Sequence, residues 1–235
     1  MLLEEFLEKM ETIAPQALAD WEDVDRIGLI VEGDPEVKNI CCALDVTFKV
    51  ILEAIEQKST MIVAHHSPLW EPIRTVRGPV ASLLRTLLGS GIGLYVMHTN
   101  FDRAQTGVNQ TLASLLGMEE VEEMPIGVLG RCSCSLPEIA TRLNSPLSLY
   151  GRLDRLKRLA VVGGSGFQPE LMEYALQKRA DAFLSSEIKH HLAINPPLPL
   201  LVSTHYALEA PAMRRLASEQ GWVFIDTAPE CTEIR

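Results

Sequence analysis

The sequence predicts an α/β protein of two βα-type lobes, with mixed or parallel sheets and helices on their faces. Three observations carry that expectation. Short apolar runs such as Ile40–Val46, Thr60–Ala64 and Gly93–Met97 are strand-length, and each is followed by a loop and an amphipathic stretch of about ten residues. That alternation is the signature of strands joined by helical crossovers. The rhythm then repeats beyond an acidic stretch, Glu119–Pro125, which places a first lobe at 1–120 and a second at 121–235, with no room for an inserted third domain.

The elements follow in order. Leu2, Leu3, Phe6, Leu7, Met10 and Ile13 fall at helical spacing, and Pro15 ends that helix. Strand 40–46 leads to Thr47, a fitting N-cap for a helix to about Gln57. Strand 60–64 is followed by a loop and a helix from about Pro79 to Leu88. Strand 93–97 precedes a helix over 107–116. In the second half the pattern predicts strand 126–135, helix 137–143, strand 159–162, a Gly163–Gly166 turn and helix 169–178. Strand 182–185, a proline-rich linker at 196–199, strand 200–203, helix 208–220 and strand 222–226 complete it. The halves share this rhythm without a sequence repeat.

Composition narrows the function. With 47% hydrophobic and 22% charged residues, the chain has the make-up of a globular protein, and no apolar run reaches the ~20 residues of a membrane span. The acidic, amphipathic N-terminus lacks the basic start and cleavage site of a signal peptide, so a cytoplasmic protein is expected. The net charge of −10 argues against a general nucleic-acid binder, because phosphates need Lys and Arg to neutralise them. An anionic ligand would require local positive charge, and a bound cation is the simplest source. Five cysteines, an odd number with no C-x-x-C pair, read as reduced structural thiols.

The histidines carry the chemistry. His65 and His66 follow one predicted strand, His98 a second and His205 a third, all at the carboxyl ends where open parallel sheets bind ligands. His98 heads an H-x-x-x-D pattern ending at Asp102, and His205 an H-x-x-x-E pattern ending at Glu209. On a helix a four-residue separation puts both side chains on one face. Imidazole with carboxylate suits zinc, iron, manganese, cobalt or nickel better than calcium or magnesium.

These motifs resemble those of the Nif-three-like dinuclear metal-centre proteins, known as GTP cyclohydrolase 1 type 2 homologues. The resemblance rests on Ala64-His65-His66-Ser67-Pro68-Leu69-Trp70, on Met97-His98-Thr99-Asn100-Phe101-Asp102 with Gly107-Val108-Asn109, and on Thr204-His205-Tyr206-Ala207-Leu208-Glu209. The chain departs from the family pattern at Ser67, inserted within H-H-P-L, and at Thr204, where glycine is usual. It also keeps only Asp25 and Gly28-Leu29 of a W-D-N-x-G-L motif. The resemblance implies that His65, His66, Asp102, His205 and Glu209 hold two divalent ions in the cleft between the lobes, with Glu209 as the bridge. His98 is then a ligand or an acid/base group, and His191 a second acid/base group. Three neutral imidazoles and two carboxylates against two divalent ions leave a net positive centre, suited to an anionic nucleotide.

The implied reaction is attack of metal hydroxide on the imidazole ring of a purine nucleotide, with release of formate. The implied assembly is a homo-oligomer, a hexamer. The alternatives are a hydrolase of another nucleotide or phosphoester, and a metal-containing regulatory or interaction protein. Arg74, Arg77 and Arg103 are candidate phosphate contacts. The Gly163–Gly166 turn reads either as a phosphate cradle or as a tight turn. The Glu187-Ile188-Lys189-His190-His191 stretch reads either as a loop supporting the site, with Lys189 on phosphate, or as a solvated helix start.

Overall fold

The computed structural model describes residues 1–231, and the chain divides into two compact units. One comprises Met1–Ala104 together with the chain from Met213, and the other Gln105–Ala212.

The first unit opens with α1 (Leu3–Ile13), then β1 (Gly28–Val31), β2 (Cys41–Asp45), α2 (Phe48–Glu56), β3 (Met61–His66), α3 (Gly78–Gly89), β4 (Gly93–Val96) and the short α4 (Thr99–Arg103). The second unit holds α5 (Val108–Leu116), β5 (Glu119–Glu123), β6 (Val128–Arg131), α6 (Leu136–Leu143), β7 (Ser148–Tyr150), β8 (Arg158–Val161), α7 (Pro169–Gln177), β9 (Ala182–Ser185), α8 (His190–Ile194) and β10 (Leu200–Val202). After α9 (His205–Gln220), β11 (Val223–Phe224) belongs to the first unit.

In the first unit the strand order is β1-β4-β3-β2-β11. Strands β2, β3, β4 and β11 run parallel, and β1 is antiparallel to β4. The parallel strands read as continuous apolar runs because helices cover them: Cys41, Ala43, Ile62, Ala64, Leu94 and Val96 share one core with Val50, Ile51 and Ala54 of α2 and Leu87 of α3. Thr47 caps α2 as its position predicts, its side chain accepting from the Val50 N–H. Phe6 and Met10 of α1 are fully buried, and Phe6 meets Tyr95 edge-on at 5.6 Å.

In the second unit the order is β5-β6-β8-β9-β10-β7, with β8, β9 and β10 parallel and the remaining strands antiparallel. Its core packs Leu129, Ala160, Phe183 and Leu200 of the sheet against Leu171, Met172 and Ala175 of α7.

Three expectations change. The acidic stretch at 119–125 is not a linker: Glu119–Glu123 is an exposed edge strand paired with β6 inside the second unit. Its row of glutamates discourages further pairing at that edge, and Glu122 engages Arg158 at 2.7 Å. The C-terminal strand joins the first sheet, Val223 lying opposite Cys41, where the linear order of the sequence places it in the second lobe. The antiparallel strands β1 and β7 and the short helix α4 had no counterpart in the sequence pattern, whereas α8 begins in the Glu187–His191 stretch as its helix-start reading expects. Among the described residues no helix is long and apolar enough to cross a membrane.

Candidate metal centre

The strand ends of the first unit gather a cluster of candidate ligands. In the parallel register Asp45, last in β2, lies opposite His66, last in β3, and Ala64 opposite Val96. His65 and His66 are therefore the last residues of β3 rather than loop residues, and His98 comes two residues after β4. Their rings cluster, with centroids 4.9 Å apart for His65 and His66, 5.0 Å for His65 and His98, and 5.7 Å for His66 and His98. One nitrogen of each lies within 4.8 Å of the others, a grouping able to hold an ion. His65 is fully buried, and its Nε2 lies 3.5 Å from Oδ1 of the buried Asp102.

The residues between His98 and Asp102 explain the H-T-N-F-D spacing. Asn100, fully buried, accepts the His98 N–H on Oδ1 and donates from Nδ2 to the Ala14 carbonyl. Thr99 donates to Asp23 Oδ2 at 2.7 Å. Phe101 is buried beside His65, at 6.3 Å between ring centroids. This tight turn projects His98 and Asp102 from one anchored element.

Two carboxylates absent from the sequence reading complete this half. Asp45 Oδ1 lies 2.7 Å from His66 Nδ1, and Asp23 Oδ2 lies 2.5 Å from His98 Nδ1. Burial pushes the Asp23 carboxyl up, but its hydrogen bonds to His98 and Thr99 and the attraction of His98 outweigh that and lower it to about 2. An ionised carboxylate only accepts, so each of these rings carries its proton on Nδ1 and, when neutral, turns a lone pair outward at Nε2. Asp45 was legible in principle, since β2 and β3 end together. Asp23 had no local signal, and Asp25, which carried the motif match, is exposed.

The second unit contributes His205 and Glu209, at i and i+4 on the first turns of α9. His205 is the first residue of α9, three residues earlier than the apolar pattern suggests, and the Thr204 hydroxyl accepts from the Ala207 N–H at this start. Its Nε2 lies 2.8 Å from Glu209 Oε2, and Glu209 is buried. Glu187 Oε1 lies 2.7 Å from His205 Nδ1, so the pattern of the first unit recurs. Gly164, at φ +66°, faces this pair: a β-carbon there would sit 2.2 Å from Glu209 Oε1 and 3.3 Å from His205 Nε2.

The remaining candidates separate by role. In the Gly163–Gly166 turn two amides are already committed, Gly163 N–H to Asn109 Oδ1 and Gly166 N–H to Ser185 Oγ, both at 2.8 Å. Those two amides therefore serve the turn itself, and the first of these bonds also gives Asn109 of the G-V-N motif its purpose. Arg103 is held by Asp20 and the Leu18 carbonyl, a structural tie. Arg74 and Arg77 are exposed, and His191 and Lys189 are exposed at the start of α8. His191 joins none of the metal-type clusters among the described residues. Burial raises the thiols of Cys41, Cys42 and Cys132, which keeps them protonated and out of metal chemistry.

Imidazoles with ionised partners behind them, set beside carboxylates, fit a transition-type divalent metal. Known proteins resemble this chain over nearly its whole length. The chain is 31% identical over 229 residues to a GTP cyclohydrolase 1 type 2 homolog of Methanocaldococcus jannaschii, covering 92% of this chain and 93% of that one. It is 33% identical over 218 residues to the homolog of the same name from Pyrococcus horikoshii, covering 85% and 86%. Among solved structures it is similar to reduced HcgD from Methanocaldococcus jannaschii, with a TM-score of 0.83 at 27% identity, covering 95% and 96%. TTHA1606 from Thermus thermophilus matches with a TM-score of 0.81 at 25% identity, covering 98% and 100%. Residues 1–221 match the Duf34/NIF3 (NGG1p interacting factor 3) family, and the chain belongs to that family.

Proposed function

We propose that this protein is a dinuclear metal-dependent hydrolase acting on a purine nucleotide of the GTP type. The observation that carries the reading is that three histidines from different elements, His66, His98 and His205, each have a carboxylate on Nδ1. Metal-binding imidazoles donate their second ring N–H to a carboxylate, a backbone carbonyl or water, and a carboxylate in that place both fixes the ring and raises its basicity.

In this reading His65, His66, Asp102, His205 and Glu209 would hold two ions from zinc, iron, manganese, cobalt or nickel, with Glu209 as the shared carboxylate. Two such ions, when bound, supply Lewis acidity and activation of water at neutral pH. The chain's own residues do the rest. Asp45 keeps His66 in the coordinating tautomer. His98, oriented by Asp23 and with Trp70 edge-on at 5.0 Å, is placed to pass a proton at Nε2 to a ring nitrogen of the substrate. His191, exposed at the start of α8, is the other acid/base candidate. Loss of C8 as formate consumes two waters and leaves the two former ring nitrogens as amines. The names borne by the relatives point to GTP as the nucleotide.

A homo-oligomer, hexameric by family resemblance, and a cytoplasmic setting that keeps the five free thiols reduced belong to the same reading. The test is formate release from GTP by protein reconstituted with each metal in turn, beside a panel of phosphodiesters and amides. Formate from GTP alone supports the assignment. Turnover of another substrate moves it to a different hydrolase, and a metal-loaded protein inert to the whole panel points to the regulatory role.

A further inference from the structure

The second unit holds a residue of left-handed backbone beside its candidate ligands. Strand β9 ends in Ser185, and the chain then passes through Ser186 to Glu187, whose backbone adopts φ +60°. That left-handed conformation is uncommon for a residue with a long side chain and costs free energy that the surroundings must offset. The surroundings here are specific. The Gly164 carbonyl accepts three hydrogen bonds: from the Ser186 N–H at 3.0 Å, from Ser186 Oγ at 2.7 Å and from Ser185 Oγ at 2.8 Å. Ser185 Oγ in turn accepts the Gly166 N–H. The glycine turn after β8 is thus tied to the segment after β9. Gly164 is the residue whose missing side chain leaves room for Glu209, and Glu187 is the residue that reaches His205 Nδ1.

We infer that Glu187 is a positioning residue, held in a strained backbone so that its carboxylate fixes His205 with Nε2 turned toward Glu209 for cation binding. The inference rests on the reading of His205 and Glu209 as metal ligands and adds what sets their affinity. It also assigns the Ser185–Ser186 segment a purpose: three bonds to one carbonyl hold the turn that a straighter backbone at Glu187 would release. The exposed position of Glu187 supports this role, because an exposed ion pair contributes little to folding, so strain there is not repaid by stability.

Two variants separate positioning from folding. Glu187→Gly removes the carboxylate and suits the positive φ. Glu187→Gln removes the charge but keeps an oxygen able to accept the Nδ1–H. Zinc affinity is measured by competition with a chelating dye, and the melting temperature is taken on metal-free protein. The expected result is a metal-free Glu187→Gly protein as stable as the parent or more so, with zinc affinity at the site lowered roughly 10–100-fold, the usual effect of losing such a partner. Glu187→Gln should stay within a few-fold of the parent. Parental affinity in Glu187→Gly overturns the role, as does a loss of affinity matched by a lower melting temperature. Equal losses in both variants overturn it in favour of a pure charge effect. A parent that binds no zinc at all overturns the metal-ligand reading itself, which the variant comparison among binding proteins does not.

Discussion

The two units place their candidate ligands by different structural means. In the first, strand register does the placing: Asp45 and His66 are the last residues of neighbouring parallel strands, and His98 and Asp102 sit on an Asn-anchored turn past the next one. In the second, turns and a helix start do it: a glycine at φ +66°, a glutamate at φ +60° and the first residue of α9. Both arrive at a histidine with a carboxylate on Nδ1. Register is enforced by the whole sheet and tolerates local change, whereas a turn depends on a few residues. The candidate ligands of the second unit should therefore be the more easily disturbed.

Gly164→Ala tests that fragility with the largest expected effect. Alanine at φ +66° costs about 1–3 kcal/mol of strain, and its β-carbon would displace the Glu209 carboxylate. Because a carboxylate can swing aside more easily than backbone, metal affinity should fall further than stability. Chelator competition and thermal unfolding on the same preparation measure both. A variant with parental affinity would show that the close approach of Gly164 to Glu209 does not matter.

The first unit should respond more gently, through pH. Asp23 has a folded pKa of about 2, below its unfolded value, so its contribution is complete above the ordinary carboxylate range and is lost as pH falls toward 2. Acid unfolding of metal-free protein should accordingly be less steep between about pH 4 and pH 2 in Asp23→Asn than in the parent. Equal slopes would mean that the Asp23–His98 contact carries no such linkage.

Much of the fold is legible because parallel strands are buried on both faces. Runs such as Met61–Ala64 and Ala182–Leu184 announce themselves by hydrophobicity alone. The edges do not. Glu119–Glu123 has no buried side chain, and Ser148–Tyr150 is largely exposed. The destination of β11 depends on pairing with β2, some 180 residues earlier in the chain, which no local pattern encodes. In the site, the histidines and the two carboxylates at four-residue spacing were visible as motifs. Their partners were not, because Asp23 reaches His98 across 75 residues and Asp45 reaches His66 across 21. Glu187 stood out only as part of an unusual stretch, and its purpose appears once the φ angle and the His205 contact are known.

The proposed function requires that this chain hold two divalent ions and that Glu209 be shared between them. Metal content of the reconstituted protein, measured by mass spectrometry for the parent, Asp102→Asn and Glu209→Gln, tests it most directly. A shared carboxylate serves both ions, so about two ions per chain are expected in the parent, about one in Asp102→Asn, and loss of the pair in Glu209→Gln. At an ordinary helix surface the same neutral change would alter stability by less than ~0.5 kcal/mol and leave metal content untouched. A parent with a metal content near zero, or Glu209→Gln holding both ions with parental affinity, would contradict the account.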